Sequence, residues 1–409
     1  MTISPPSKVE NVPAFPSPVL ASGVDSLDLA IDVIWQDESL FDYLQDMKAL
    51  AKQEEQEIPV IIGDRGGECR LLLSIKPHGS GGYEWLLHGS DYSLNIGKWL
   101  KPISRPSILA KIHSEPLWAL GPQQAVAILL SALQQSGAQI QVVKPSRVDL
   151  CVDYLMPEKL WSVGLLKNIV TRAASCAPHL RHKILTGISI GRGKVAARLY
   201  DKPLEISQKS KKFWMYEIWG VSAAPEGYRI IRVEGQFRRE AIKQLGIDRI
   251  DDLFSHLENL WAYFTQRWLK FQNKPGKHPA ARKNLPFWNI IQGGFFGVQG
   301  AAPLVRCRSI QTKKKQLAAQ AYGIFNSFIA VEQEERDLPL GHETTLGRSL
   351  DSLGGYFHKS GKNDFELGID ILGKRAKYHK ATAKMLETQQ QRQALGFPCN
   401  LPLNLNTKD

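Results

Sequence analysis

The sequence predicts an α+β fold, on three observations. Short runs with period-two alternation recur between breaks rich in Gly and Pro, as strands of a sheet do. Fewer, longer segments carry apolar residues at helical spacing. Two strand–helix–strand series also open on the same phrase, Leu27-Asp28-Leu29-Ala30-Ile31-Asp32 and Val148-Asp149-Leu150-Cys151-Val152-Asp153. Two readings of that echo stay open: duplicated half-domains over 23–140 and 141–272, or the common look of strands.

Taken in order, residues 1–22 read as a disordered leader, rich in Ser and Pro near the start and without the apolar core of a signal peptide. A strand follows at Leu27–Trp35, then a helix at Ser39–Glu55 with Phe41, Leu44, Met47 and Leu50 on one face. Strands are expected at Pro59–Ile62, Cys69–Ile75, Tyr83–His88 and Ser107–Ile112, and a helix at Gly121–Gln135. The second series has a strand at Arg147–Tyr154, a helix at Lys159–Ala174, and strands at Thr186–Ile190, Val195–Tyr200 and Arg229–Arg238. A long helix is expected over Ile250–Phe271. Residues 273–304 read as a linker, 305–388 as a basic helical region with helices at 310–333 and 364–388, and 389–409 as a flexible tail.

The chain has 409 residues, 43% of them hydrophobic, enough for a sizeable core. It has no apolar run long enough to cross a membrane. Five cysteines, widely spaced and without a CxxC pair, argue against a disulfide framework or thiolate zinc site and fit a reducing cytoplasm. A formal net charge of +12 favours a polyanionic partner, against a membrane surface or a merely basic protein.

Three strands carry the chemistry. In Arg147–Asp153, alternation sends Val148, Leu150 and Val152 to one face and Asp149, Cys151 and Asp153 to the other. Two aligned carboxylates on a strand are unusual, because Asp is depleted from strands. In Ile231–Arg238 the polar face holds Arg232, Glu234, Gln236 and Arg238; in Val195–Lys202 it holds Arg198, Tyr200 and Lys202. If the three strands are neighbours, the carboxylates suit a hard cation, Mg²⁺ or Mn²⁺, and the basic groups suit phosphate. The bland alternative is a solvated sheet face with cross-strand ion pairs.

These residues resemble those of the trans-acting plasmid initiators, the replication initiation factor family, which includes rolling-circle plasmid initiators and relaxases of conjugative elements. The resemblance is carried by Arg147-Val-Asp-Leu-Cys-Val-Asp153, Thr186-Gly-Ile-Ser-Ile-Gly-Arg192, Arg198-Leu-Tyr-Asp-Lys202 with Glu205, and Ile231-Arg-Val-Glu-Gly-Gln-Phe-Arg-Arg239. Pro116–Gly121 and Leu260–Leu269 extend it, so that it covers about residues 24–270. It implies a large curved antiparallel sheet and site-specific DNA nicking through a 5′-phosphotyrosine; helices are expected on one face of the sheet. It also implies a divalent metal, and origin DNA, duplex and single-stranded, and a host helicase as partners. A homodimer is a further expectation. By this resemblance Asp149, Glu234 and Asp153 are the metal ligands. Arg198, Lys202, Arg232 and Arg238, with Arg192 in its Gly-flanked turn and Arg267, are the DNA-binding residues.

The chain departs from the family after the Arg-x-Glu strand. There the family has its tyrosine and this chain has Lys243-Gln244-Leu245-Gly246. Tyr263 is the first candidate nucleophile, roughly 120° from the centre of the apolar stripe of its expected helix. A core-edge tyrosine is the alternative. Tyr200 is the second candidate and Tyr154 the third. His179 and His182, three apart, leave open a metal pair on a helix, against a phosphate-facing loop favoured by Pro178, Arg181 and Lys183, and His256 reads as a group that orients Tyr263. Gly187–Gly193 lacks the Walker lysine, so ATP use falls to a partner. The missing tyrosine leaves a second function open, a catalytically silent origin-binding protein of the same fold. A nuclease that hydrolyses DNA directly is a third.

Overall fold

The fold begins on an exceptionally long strand, β1 (Val19–Trp35), followed by helix α1 (Ser39–Gln53). Strands β2 (Ile58–Gly63), β3 (Arg70–Ile75), β4 (Trp85–His88), β5 (Tyr92–Ile96) and β6 (Ile108–Ile112) come next, then α2 (Ser114–Ala119) and α3 (Pro122–Gln135). A second long strand, β7 (Ala138–Pro157), starts a second series: β8 (Ile169–Thr171), β9 (Cys176–Arg181), β10 (Ile184–Ile190), β11 (Val195–Asp201), α4 (Lys202–Glu205), α5 (Met215–Trp219) and β12 (Tyr228–Arg238). It ends with α6 (Arg239–Gln244), α7 (Ile250–Ser255), α8 (Leu257–Tyr263), β13 (Leu269–Phe271) and α9 (Pro286–Gly293). This computed structural model describes residues 17–63, 69–273, 281–296, 301–304, 306, 310–339, 345–359 and 371. The chain splits into two units, Met1–Leu304 and Val305–Asp409.

Eleven strands of the first unit form one open antiparallel sheet, in the order β2-β3-β4-β5-β6-β1-β7-β12-β11-β10-β9. The order reads the same from the centre outwards in both halves. Each half sets its first strand at the seam, its last strand next to it, and the others outwards in reverse chain order. Leu27 of β1 lies directly opposite Val148 of β7. These are the equivalent first residues of the sequence echo, so the echo is centred on a local two-fold through that pair. The register shifts by one residue at several points along β1 and β7, including Val24/Ser26, and such bulges re-aim side chains.

Alternation sorts the sheet into two faces. Leu27, Leu29, Ile31, Val148, Leu150, Val152, Val233 and Phe237 are buried on the rear face. There α1 packs through Phe41 against Trp35 and Trp85, and α3 receives the Tyr92 hydroxyl on the Ala125 carbonyl. Behind the second half, a Cβ on Gly235 would lie 2.9 Å from the Phe264 ring, so only glycine admits that close packing. The front face is also partly covered. Ile206, Met215 and Trp219, from the α4–α5 region, bury Leu155 and Ile230, with Trp118 of α2 packed alongside. The expectation of helices on one face is therefore corrected: they lie on both. This is why β7 is buried on both sides from Val148 to Met156.

Other expectations also change. β1 starts at Val19, so residues 19–22 belong to the sheet; residues 1–16 of the expected leader lie outside the described residues. The helix expected at Lys159–Ala174 is two 3₁₀ turns followed by β8. The long helix expected from Ile250 breaks at His256, relaxes into a π turn over Phe264–Trp268, and ends in β13, which pairs with β8. The expected linker 273–304 contains α9, whose Phe287, Trp288 and Ile291 are buried in the first unit. In the second unit α10 (Ile310–Glu335) and α11 (Leu346–Lys359) meet through the Phe328 and Tyr356 rings and a Ser352–Glu332 hydrogen bond. The helix expected at 364–388 and the tail 389–409 lie outside the described residues, apart from Ile371. No described helix is long and apolar enough to cross a membrane.

Candidate active site

A cavity of about 850 Å³ opens on the front face, over the seam and the inner strands of the second half. β7, β12 and β11 are adjacent, as the sequence reading requires. Glu234 lies opposite Cys151 and Arg198, Arg232 opposite Asp153 and Tyr200, and Gln236 opposite Asp149. Asp149 and Glu234 are thus diagonal neighbours on one face, and both line the cavity. Tyr200 lines it too, and its hydroxyl donates to Glu234 Oε2 at 3.0 Å.

The carboxylates differ in their engagements. Asp149 is 3% exposed and receives a two-pronged hydrogen bond from Arg147, through Nε at 2.9 Å and Nη2. Glu234 Oε1 accepts from Arg198 Nη1 at 3.1 Å. Asp153 is sealed: Arg232 Nε and Nη2 donate to its two oxygens at 2.7 and 2.8 Å, and Trp219 Nε1 adds a third bond at 2.8 Å. The third nitrogen of the same guanidinium, Nη1, reaches Asp25 at 2.7 Å, which also accepts from Trp118 Nε1 at 3.2 Å. Arg232 is fully buried, with its guanidinium over the Trp118 ring.

This corrects two sequence expectations. Asp153 is a structural counter-ion, and Arg232, expected to bind DNA, is an internal tie between the halves that no phosphate reaches. The fit to a divalent metal weakens accordingly. Asp149 and Glu234 remain, each already engaged by an arginine. Among the described residues no group of three or more His, Cys, Asp or Glu side chains is arranged to hold a metal ion.

Burial and like charge shape the electrostatics. Burial first, then the charges of Asp149 and Asp25, push Glu234 up to about 7. Burial also raises Asp149, against the pull of Arg147. Burial and then the Glu234 charge push the Tyr200 hydroxyl well above 10. Asp25 goes the other way: burial opposes it, but Arg232, Lys202 and Lys212 hold it down at about 2.

Tyr263 is not at this site. It is 1% exposed, on the rear side of the sheet with its ring 6.4 Å from Phe237, and its hydroxyl has no hydrogen-bond partner. The end of α8 is buried on every side, from Leu260 to Tyr263, so a tyrosine expected off the core face is enclosed. Tyr154 is also on the rear face, packed against Phe287. His256 does not orient Tyr263; its Nδ1 bonds the Asp252 carbonyl at 2.7 Å.

The expected phosphate contacts divide. Arg198, half exposed, lines the cavity. Lys202 lines it but is 2% exposed and bound to Glu205 at 2.6 Å, with its ammonium over the Tyr200 ring. Arg192 is exposed in the β10–β11 turn between Gly191 and Gly193, both at positive φ, and Arg238 is exposed at the end of β12; neither lines the cavity. Arg267 is exposed beside a different, smaller pocket with Lys270. The histidine segment is not a loop: Cys176–Arg181 is strand β9, and His182 and Lys183, both at positive φ, form a tight hairpin turn. His179 points at the cavity and bonds Ser189 Oγ at 2.8 Å.

Sequence reasoning missed the contribution of the first half. Asp25, Ser26, Lys111, His113 and Ser114 line the cavity, with Lys209 and Lys212 from the segment after α4. The signal was present at Asp25-Ser26, which breaks the alternation of β1 at a register shift. Among the described residues, each cavity carboxylate has a basic partner, whereas Lys111, Lys209 and Lys212 have no ion pair. Compared with protein-family models, curated proteins and solved structures, the chain finds no match.

Proposed function

We propose that the protein nicks one strand of DNA through a covalent tyrosine intermediate, with Tyr200 as nucleophile, to start rolling-circle replication or transfer of a mobile element. The observation that carries this reading is the 3.0 Å hydrogen bond from the Tyr200 hydroxyl to Glu234 in a cavity bearing surplus lysines. A base with a pKa near 7 is suited to take a proton at neutral pH, and Glu234 is raised to about 7. Glu234 accepts the hydroxyl proton as the Tyr200 oxygen attacks phosphorus. The P–O bond to Tyr200 forms, the bond to the 3′ oxygen breaks, and that oxygen leaves and picks up a proton. The phosphotyrosine ester keeps the phosphodiester energy, so the 3′ hydroxyl can reseal without ATP. Arg198, beside Glu234 and half exposed, is set to neutralise charge on the phosphoryl oxygens. Unwinding is left to a host helicase.

The test is incubation of the full chain with supercoiled DNA carrying the sequence that flanks its own gene, with and without Mg²⁺ or Mn²⁺. A protein–DNA adduct that survives denaturation, and is absent in Tyr200→Phe, is the expected result. Dependence on the cation would mean that Asp149 and Glu234 exchange their arginines for metal. An adduct retained in Tyr200→Phe overturns the assignment, and a free 5′ phosphate without attached protein points to direct hydrolysis.

A second reading is favoured by one observation. The Tyr200 hydroxyl is held well above its usual pKa by burial and Glu234, which disfavours the phenolate. An origin-binding protein without nicking activity would then show salt-sensitive binding and no nick with any cation.

A further inference from the structure

We propose that the two halves of the sheet together supply a second phosphate subsite, in which Lys111 of the first half and Lys212 of the second hold the phosphate adjacent to the scissile one on a single DNA strand. This rests on the nicking reading for what lies next door, but its geometry is independent of Tyr200. Lys111 is opposite Asp28 on β6, on the front face. By the local two-fold it occupies the place that Gln236, opposite Asp149, has in the second half. Lys212 comes from the segment between α4 and α5. Both line the same cavity as Tyr200 and Glu234, with Ser26 and Ser114.

Among the described residues neither lysine forms an ion pair, and the carboxylates nearest them are bonded to other groups. Asp25 is engaged by Arg232 and Trp118, and Glu205 by Lys202 and Ser210. Asp28, the remaining carboxyl near Lys111, is pushed up by burial. The Ser26 and Ser114 hydroxyls, 9% and 2% exposed by residue, have no hydrogen-bond partner. Hydroxyls and ammonium groups together suit phosphate oxygens. Positive charge gathers here: burial first, then Lys111 and Lys212, lower His113, and burial lowers Lys212, where the opposing pull of Asp25 is countered by Lys202 and Arg232. A bound dianion or phosphodiester relieves that repulsion. The cavity volume, about 850 Å³, suits a ligand of several groups rather than one phosphate.

The experiment is fluorescence anisotropy of a labelled oligothymidylate, eight residues long, with the full chain over a salt series. Lys111→Ala/Lys212→Ala is compared with Lys101→Ala/Lys159→Ala, which removes the same charge from exposed positions outside the cavity. Thermal unfolding of all three proteins checks that each is folded, and Lys111→Gln/Lys212→Gln repeats the test with longer side chains. The expected result is about tenfold weaker binding in the cavity variant and a salt slope shallower by about 0.7, the value for one phosphate on a single strand. Equal binding by the two double variants overturns the subsite, as does failure of the wild type to bind. Binding through these lysines without any adduct removes the nicking reading alone; an adduct with equal binding removes the subsite alone.

Discussion

The two halves of the sheet share a strand order and differ in what their front faces carry. Across the seam Asp28 and Asp32 answer to Asp149 and Asp153. Following the registers outwards, Glu234, opposite Cys151, has Leu109, opposite Ala30, as its counterpart. Arg198, opposite Glu234, has Asn95, opposite Leu109. Tyr200, two residues beyond Arg198, has Gly97. The first half therefore keeps the acids at the seam but lacks the phenol, its base and the arginine beside it. The acids themselves differ. Asp153 is fully enclosed by Arg232 and Trp219, whereas Asp32 makes a 3.5 Å ion pair with Lys144 at the surface. The same scaffold thus holds the proposed chemistry on one side and, by our reading, contributes Lys111 to the grip on the strand from the other.

The largest expected effect comes from making the second half resemble the first at the base. Glu234→Gln should lower the rate of adduct formation by about 10²–10⁴-fold, the usual contribution of a positioned acid or base. It should also change stability in the opposite sense. A carboxyl raised from the ordinary 4.5 to about 7 by folding is fully compatible with the fold below pH 4.5, and that contribution is lost as pH rises through 7. The wild type should lose on the order of 3 kcal/mol from this group between those limits. Glu234→Gln should flatten that part of the profile and be the more stable protein at pH 8, as read by urea unfolding at several pH values. A variant that loses stability at pH 8 would mean that the Arg198 and Tyr200 contacts outweigh the desolvation of the carboxylate.

Next comes the contrast between the acids. Removing one partner of a buried ion pair leaves the other unanswered, at about 3–5 kcal/mol, so Asp153→Ala should be severely destabilised. Asp32→Ala removes a surface pair and should cost about 1 kcal/mol or less. The two midpoints in one denaturant, measured side by side, test whether the echo positions have separated in role. Equal losses would mean that the enclosed Arg232 network contributes no more than the exposed pair.

The sequence made most of the strands legible because in them alternation, β-branched residues and Gly or Pro breaks all point one way. It also identified the acidic face, since three polar-faced strands needed only to be adjacent. What it hid depended on distant contacts. Asp153 and Asp149 look alike in the pattern, and only the positions of Arg232, Arg147 and Trp219 separate a structural acid from a site acid. The apolar character of Ile250–Phe271 could not show the π turn or the β13–β8 pairing. β5, five residues long and alternating, was missed between Gly89 and Gly97, and α9 was lost in a stretch dominated by Gly and Pro.

The smallest expected effect separates the two tyrosines. Tyr263→Phe removes a hydroxyl that is buried without a partner. A buried polar group without a hydrogen bond carries its desolvation cost with no return, so its deletion should be neutral or stabilising by about 1 kcal/mol. The ring, which fills space against Phe237, is kept. Adduct formation should be unchanged, because Tyr263 is across the sheet from Glu234. Tyr200→Phe differs in both respects: it removes the donor to Glu234 and should abolish the adduct. If Tyr263→Phe instead loses the adduct while keeping its unfolding midpoint, the rear face takes part in the reaction, and the assignment of the chemistry to the front of the second half is wrong.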